Sequence, residues 1–151
     1  MLVAVRTAVV ADMDRLRGVF RTASLSNAAD RDHLLAHPES LVLSDLGVRQ
    51  GRTRVAVGPD HDDVVGFASW LVKDGVIELE DLFVAPTWMR RGVGRALVLD
   101  AVAIAREKAF DGLEVTANPH ARAFYERTGF IAGPVVETDF YPGQRMHRTV
   151  R

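Results

Sequence analysis

Cysteine is absent from the 151 residues, so no disulfide, zinc-thiolate site or cysteine nucleophile can be built from this chain. Lysine is nearly absent as well: of nineteen cationic side chains two are Lys and seventeen are Arg. There is no excess of either sign, since twenty Asp plus Glu bring the net charge to -1. No overall field exists to hold a nucleic acid or a membrane surface. Aromatic residues make up 7%, too few for the stacking platforms of a single-strand binder. Long apolar runs are also missing. The N-terminal Met-Leu-Val-Ala-Val meets Arg6 well before it could form a signal-peptide core, and the most apolar stretch, Ala96 to Ala105, is broken by Asp100, far below the roughly 20 residues that span a bilayer. The expected setting is the cytoplasm, without a nucleic-acid or membrane partner. What is present is 48% hydrophobic and 26% charged residues, the balance of one globular domain over 1–151.

Leu2 to Val5 reads as a short strand, and Asp12 stands as an N-cap before Met13, Leu16, Val19, Phe20 and Ala23, spaced for one helix face. The stretch from Leu25 to Leu46 is less regular, with a short helix expected over Asp32 to Ala36 and ended by Pro38. Thr53 to Val57 and Val64 to Val72 read as antiparallel strands on either side of turn-forming residues, and Asp74-Gly75 leads into a third strand, Val76 to Val84. From Val93 to Phe110 an apolar arc (Leu97, Val98, Ala101, Val102, Ile104, Ala105) opposes Arg95, Asp100, Arg106 and Glu107, predicting a long helix stopped at Asp111-Gly112. Leu113 to Ala117 is a strand. Asn118-Pro119 opens a short helix as cap and first residue, with Gly129 as its stop. Phe130 to Tyr141, interrupted by Gly133-Pro134, and Arg145 to Val150 close the chain as a hairpin through Pro142-Gly143. The fold class is α/β or α+β: a mixed, mostly antiparallel sheet with helices on both faces. Its one natural parallel crossover joins the strands at 76–84 and 113–117 through the long helix, and a ligand is expected there.

At that crossover the chain reads Met89-Arg90-Arg91-Gly92-Val93-Gly94-Arg95-Ala96. Two glycines let backbone approach a ligand, the helix N-terminus offers free N–H groups, and Arg90, Arg91 and Arg95 add cations. This is an anion cradle suited to a diphosphate. The third glycine of the dinucleotide fingerprint is replaced by Leu97, and the Gly-Lys-Ser/Thr of a P-loop is missing. With Asn118-Pro119 and the run from Ala121 to Phe130 (Ala-Arg-Ala-Phe-Tyr-Glu-Arg-Thr-Gly-Phe), nearly the whole chain resembles the GNAT family of N-acetyltransferases.

The resemblance implies acetyl-CoA as co-substrate, no metal, and a small-molecule or peptide amine as acceptor. It places the pyrophosphate on Arg90, Arg91, Gly92, Val93, Gly94, Arg95 and Ala96, with Met89 standing where the family has Arg or Gln. It sets the pantetheine arm against the backbone of Leu82, Phe83 and Val84, and matches Asn118, Phe124 and Tyr125 to the family's second cofactor segment.

Acyl transfer to an amine needs a proton acceptor, an oxyanion donor and a proton for the departing thiolate. Glu78 and Glu80 share a strand face by period two, with Asp81 opposite unless a bulge re-aims it, so Glu80 is preferred over Glu78 as base. A backbone N–H near Leu82 can hold the oxyanion, and Tyr125 can protonate the thiolate. With no cysteine, direct attack by the amine in a ternary complex is expected. The acid-base set favours an enzyme over a non-catalytic acyl-CoA sensor of the same fold. His33 and His37 have the i, i+4 spacing of metal ligands but no evident third ligand. His147 either enters the acceptor site or faces solvent. Glu78, Glu80, Asp81, Glu137 and Asp139 form an acidic set able to surround a cationic amine. Oligomeric state stays open, a homodimer included.

Overall fold

The computed structural model describes residues 3–60, 63–138 and 141–150. Seven strands, β1 (Ala4–Thr7), β2 (Thr53–Val57), β3 (Val64–Lys73), β4 (Val76–Val84), β5 (Gly112–Ala117), β6 (Ile131–Glu137) and β7 (Pro142–Thr149), are hydrogen-bonded in the order β1-β2-β3-β4-β5-β7-β6. The helices are α1 (Met13–Leu25), α2 (Ala28–Ala36), α3 (Leu46–Arg49), α4 (Val93–Glu107) and α5 (Arg122–Arg127). β4 and β5 pair in parallel, joined through α4 as expected. β3 turns into β4 at Asp74-Gly75, whose φ values of 51° and 79° suit a two-residue hairpin turn. No described helix is long and apolar enough to cross a membrane.

The residues gather into two compact units, one of Met1–Ser69 with Asp81–Leu97, the other of Trp70–Glu80 with Val98–Arg151. In the first unit both sheet faces are covered by helix. Met13, Leu16 and Val19 of α1 pack with Val55, Val64 and Phe67, while Val93 and Leu97 of α4 pack with Ala56, Val65 and Ala68. A bulge sets these faces: Val57 pairs with Val64 but Ala56 with Gly66, so one extra β3 residue is accommodated there. Gly66 is needed at this crossing, because a Cβ would lie 2.9 Å from the Phe83 carbonyl and 3.0 Å from Val93.

In the second unit the register aligns Ile77 with Leu113 and Leu79 with Val115, and Val115 with Met146. All five are buried. The alternate positions Glu78, Glu114, Thr116, Arg145 and His147 therefore occupy the opposite, polar face of the strands.

Several boundaries differ from those expected. β1 begins at Ala4, and Leu2 lies outside the described residues. Asp12 precedes α1 but does not cap it: its carboxylate accepts the Val9 N–H and two bonds from Arg6. α2 starts earlier, at Ala28, because Asn27 caps it through the Ala29 N–H.

α4 ends at Glu107 rather than at Asp111-Gly112. Ala109 takes the left-handed conformation (φ 60°) and Phe110 N–H reaches back to the Ala105 carbonyl, so an alanine performs the stop. Gly112 belongs to β5, where the His147 ring and the Arg148 carbonyl occupy the space of a Cβ. Asn118 Oδ1 accepts the Ala121 N–H, but 119–121 form a turn and α5 proper begins at Arg122. Gly129 (φ 96°) ends α5 as expected. Pro142-Gly143 lies inside β7, and the chain reverses between Thr138 and Tyr141. The β6 interruption at Gly133-Pro134 appears as a register shift between Ala132 and Val135.

Candidate active site

The loop leading into α4 belongs wholly to the first unit. Ala85 is tied to β3 by its N–H to the Val65 carbonyl, and Pro86–Trp88 form one 3-10 turn. Trp88 lies against Gly58, where a Cβ would approach its ring to 3.2 Å, and the Arg91 guanidinium stacks 5.1 Å from the Trp88 ring centroid. Arg90 and Gly92 are both left-handed, with φ of 63° and 83°. For an arginine this is an unusual conformation, retained where a loop must turn sharply.

The first helical bond runs from Ala96 N–H to the Gly92 carbonyl. The N–H groups of Val93, Gly94 and Arg95 therefore stand ahead of the ladder, at the positive end of α4. Arg90, Arg91 and Arg95 are exposed around them, as is Met89. The arrangement can receive an anion through backbone donors and side-chain cations together.

Leu82 and Val84 turn to the α4 side of the sheet, packed with Val93 and Leu97. Phe83 turns the other way, with its ring 4.9 Å from Phe20 and 5.6 Å from Phe67. Its ring therefore packs against the core. Asp81 shares that side and accepts a hydrogen bond from the buried Ser69 hydroxyl at 2.6 Å.

In the second unit, Tyr125 is buried with its ring edge-on to Phe124 (5.1 Å) and Phe130 (5.2 Å). Asn118, three residues before Ala121, is held by the cap bond described above. Glu80 is exposed. Glu78 is engaged: Arg145 grips both its oxygens, NH1 on Oε1 and NH2 on Oε2 at 3.0 Å, while also bonding Glu114 at 2.6 Å and Thr116 at 2.8 Å. The paired carboxylates raise the Arg145 pKa further, Glu78 contributing most through its hydrogen bond. His147 Nδ1 lies 3.8 Å from Glu114 Oε1, beyond hydrogen-bonding distance.

The expected acidic set is thus already divided. Glu78 is bound to Arg145, Asp81 to Ser69, Glu137 is exposed on β6, and Asp139 lies outside the described residues. His33 and His37 stack at 4.5 Å between ring centroids, with His37 on Glu39. Among the described residues no group of three or more His, Asp or Glu is placed to hold a metal ion. Sequence reasoning missed Trp88 as the loop's anchor, and it missed the Arg145, Glu114 and Thr116 network. The adjacency of Trp88 to two arginines was a local signal for the first; the second joins strands remote in sequence and left no such signal.

Residues 21–130 match the family model described as the Acetyltransferase (GNAT) family, and the chain belongs to that family. Among curated relatives, a mycothiol acetyltransferase of Beutenbergia cavernae is 36% identical over 108 residues, covering 63% of this chain and 36% of the relative. A streptothricin acetyltransferase of Streptomyces lavendulae is 42% identical over 84 residues, covering 52% of this chain and 44% of the relative. The chain therefore spans less than half the length of each of these relatives. The fold matches a GCN5-related N-acetyltransferase from Rhodopseudomonas palustris with a TM-score of 0.79 at 20% identity, over 99% of this chain and 96% of that one. It also matches the PaiA N-acetyltransferase of Thermoplasma acidophilum, solved with coenzyme A, with a TM-score of 0.75 at 18% identity over 99% of both chains.

Proposed function

We propose that 1–151 is a single acetyltransferase domain that moves an acetyl group from acetyl-CoA to a primary amine, by direct attack in a ternary complex. One observation carries this assignment furthest: the N-terminus of α4 is left open behind two left-handed residues and ringed by three exposed arginines. Such a loop suits a diphosphate, and the acetyltransferase names of both curated relatives support catalysis over mere binding.

In this proposal the backbone N–H groups of Val93, Gly94 and Arg95, between Gly92 and Ala96, hold the diphosphate, with Arg90 and Arg91 beside it, and the backbone of Leu82, Phe83 and Val84 lines the pantetheine arm. Asn118 and Phe124 support the second cofactor segment, and Tyr125 gives a proton to the departing thiolate. Glu80, exposed on β4, is assigned to take the ammonium proton, and Glu78 is held by Arg145. Coenzyme A supplies the activated acetyl thioester; the chain's own groups bind it, orient it and move protons.

Binding is tested by thermal unfolding with acetyl-CoA. At about 100 times Kd, acetyl-CoA is expected to stabilise the wild type by roughly 2.7 kcal/mol. A folded Gly94→Val protein is expected to show none of that gain, because the added side chain stands where the diphosphate must approach the backbone. An unchanged Kd in that variant would remove the loop assignment.

A further inference from the structure

The parallel register of β4 and β5 sets Glu78 directly opposite Glu114. Like charges facing each other across a sheet destabilise it. The pair also stands near the end of the ladder: Leu79 pairs with Val115, and no further β4–β5 pair follows in the register, although β4 continues to Val84 and β5 to Ala117. Repulsion there is opposed by a single flanking backbone pair on each side, Ile77 with Leu113 and Leu79 with Val115.

Arg145 enters from β7, opposite Thr116. Its guanidinium makes two bonds to Glu78, one to Glu114 and one to Thr116, tying three strands together at one point. The planar fork is essential to this arrangement, since a lysine ammonium cannot reach two carboxylates and a hydroxyl in one plane. The side chains are shielded but not sealed, with relative exposures of 22% for Arg145, 15% for Glu78 and 35% for Glu114. Among the described residues, His147 is a further titratable group beside the network, 3.8 Å from Glu114.

We propose that Arg145 is a positioning residue: by neutralising the opposed glutamates it holds the last stretch of β4 that pairs with β5, and through it the Glu80 carboxylate two residues beyond Glu78. This rests on the assignment of Glu80 within the acetyltransferase proposal. A shift on the order of 1 Å in a reacting group can cost about 10² in rate, so the pin acts on kcat while leaving the acetyl-CoA loop alone.

The test compares wild type, Arg145→Met, Arg145→Lys, Glu78→Gln and the triple variant E78Q/E114Q/R145M. Three properties are read: kcat with the best amine, the Kd of acetyl-CoA, and amide hydrogen exchange over 76–80 and 113–116. Arg145→Met is expected to lose about 10² in kcat, to keep its Kd, and to exchange faster over both segments. Arg145→Lys, which keeps the charge without the fork, falls between. The triple variant, with no opposed charges, is expected to recover both rate and protection. Glu78→Gln alone, which leaves Arg145 on Glu114, is expected to change little.

A triple variant no better than Arg145→Met would overturn the neutralising role. A Glu78→Gln loss as large as that of Arg145→Met would make Glu78 the reacting carboxylate and overturn the proposal from the other side. If Arg145→Met does not fold, a folded triple variant supports the pin and an unfolded one overturns it. Wild-type protein that acetylates no amine removes the acetyltransferase assignment and the catalytic half of this proposal, while the exchange data still decide the pin.

Discussion

Two clusters of charge, one in each compact unit, use arginine in opposite ways. Around the start of α4, Arg90, Arg91 and Arg95 are exposed beside unladdered N–H groups, and Arg91 rests on the face of Trp88. On the polar face of β4, β5 and β7, Arg145 is gripped by two carboxylates and a hydroxyl. The first cluster keeps its charges exposed, where the proposed function sets a diphosphate, whereas the second has spent them on its own chain. Two carboxylates of β4 differ in exposure: Glu78 is clasped by Arg145 and largely shielded, and Glu80, two residues on, is exposed. What a charged residue can do is therefore decided by what already holds it, more than by its type.

The largest expected effect lies on the β4 carboxylates. Glu80→Gln is expected to lower kcat/KM by about 10² to 10⁴ at neutral pH, the usual worth of a positioned base. Part of the loss returns as pH rises, because more of the amine is then already deprotonated. Silence at Glu80 would break the comparison by showing that exposure did not mark the base.

A smaller effect is expected in the open cluster. Arg91→Gln removes one charge-assisted contact, costing about tenfold in acetyl-CoA affinity, and it should leave the unliganded protein's melting temperature almost unchanged. A fall in that melting temperature, with affinity intact, would place Arg91 among the structural arginines.

The smallest effect concerns Arg6 and Asp12, a structural pair in the first unit. Hydrogen bonds from Arg6, and then from the Val9 N–H, hold the Asp12 carboxyl below its ordinary range against the opposing pull of burial. Because the folded value is depressed, this stabilisation is complete above about pH 4 and fades as pH falls through the folded value. Asp12→Ala is expected to cost about 1 kcal/mol near neutrality, a difference that narrows in acid. Denaturant titrations at pH 7 and pH 3 measure it, and a gap that widened in acid would contradict the assigned ion pair.

Much of the fold was legible because its signals are local. Asp74-Gly75, the alternation of Thr53 to Val57 and the apolar arc of α4 each describe their own element, and the glycine-bearing loop sits where a parallel crossover must begin. Ends were less legible. Asn27 competes with later residues as the start of α2, and Ala109 adopts a conformation usually left to glycine, so Gly112 was misassigned as a stop. The engagement of Glu78 could not be read at all, since its partner Arg145 lies 67 residues away. Period two places both acids on one face but says nothing of what arrives from β7.

The central claim, that this GNAT chain is a working acetyltransferase, is tested most directly by free-thiol release from acetyl-CoA across a panel of primary amines, with product mass measured for each. The account predicts saturable thiol release with at least one amine and an equal amount of N-acetylated product. Tight acetyl-CoA binding without thiol release from any amine would contradict it, and would make the chain an acyl-CoA-binding module of the same fold.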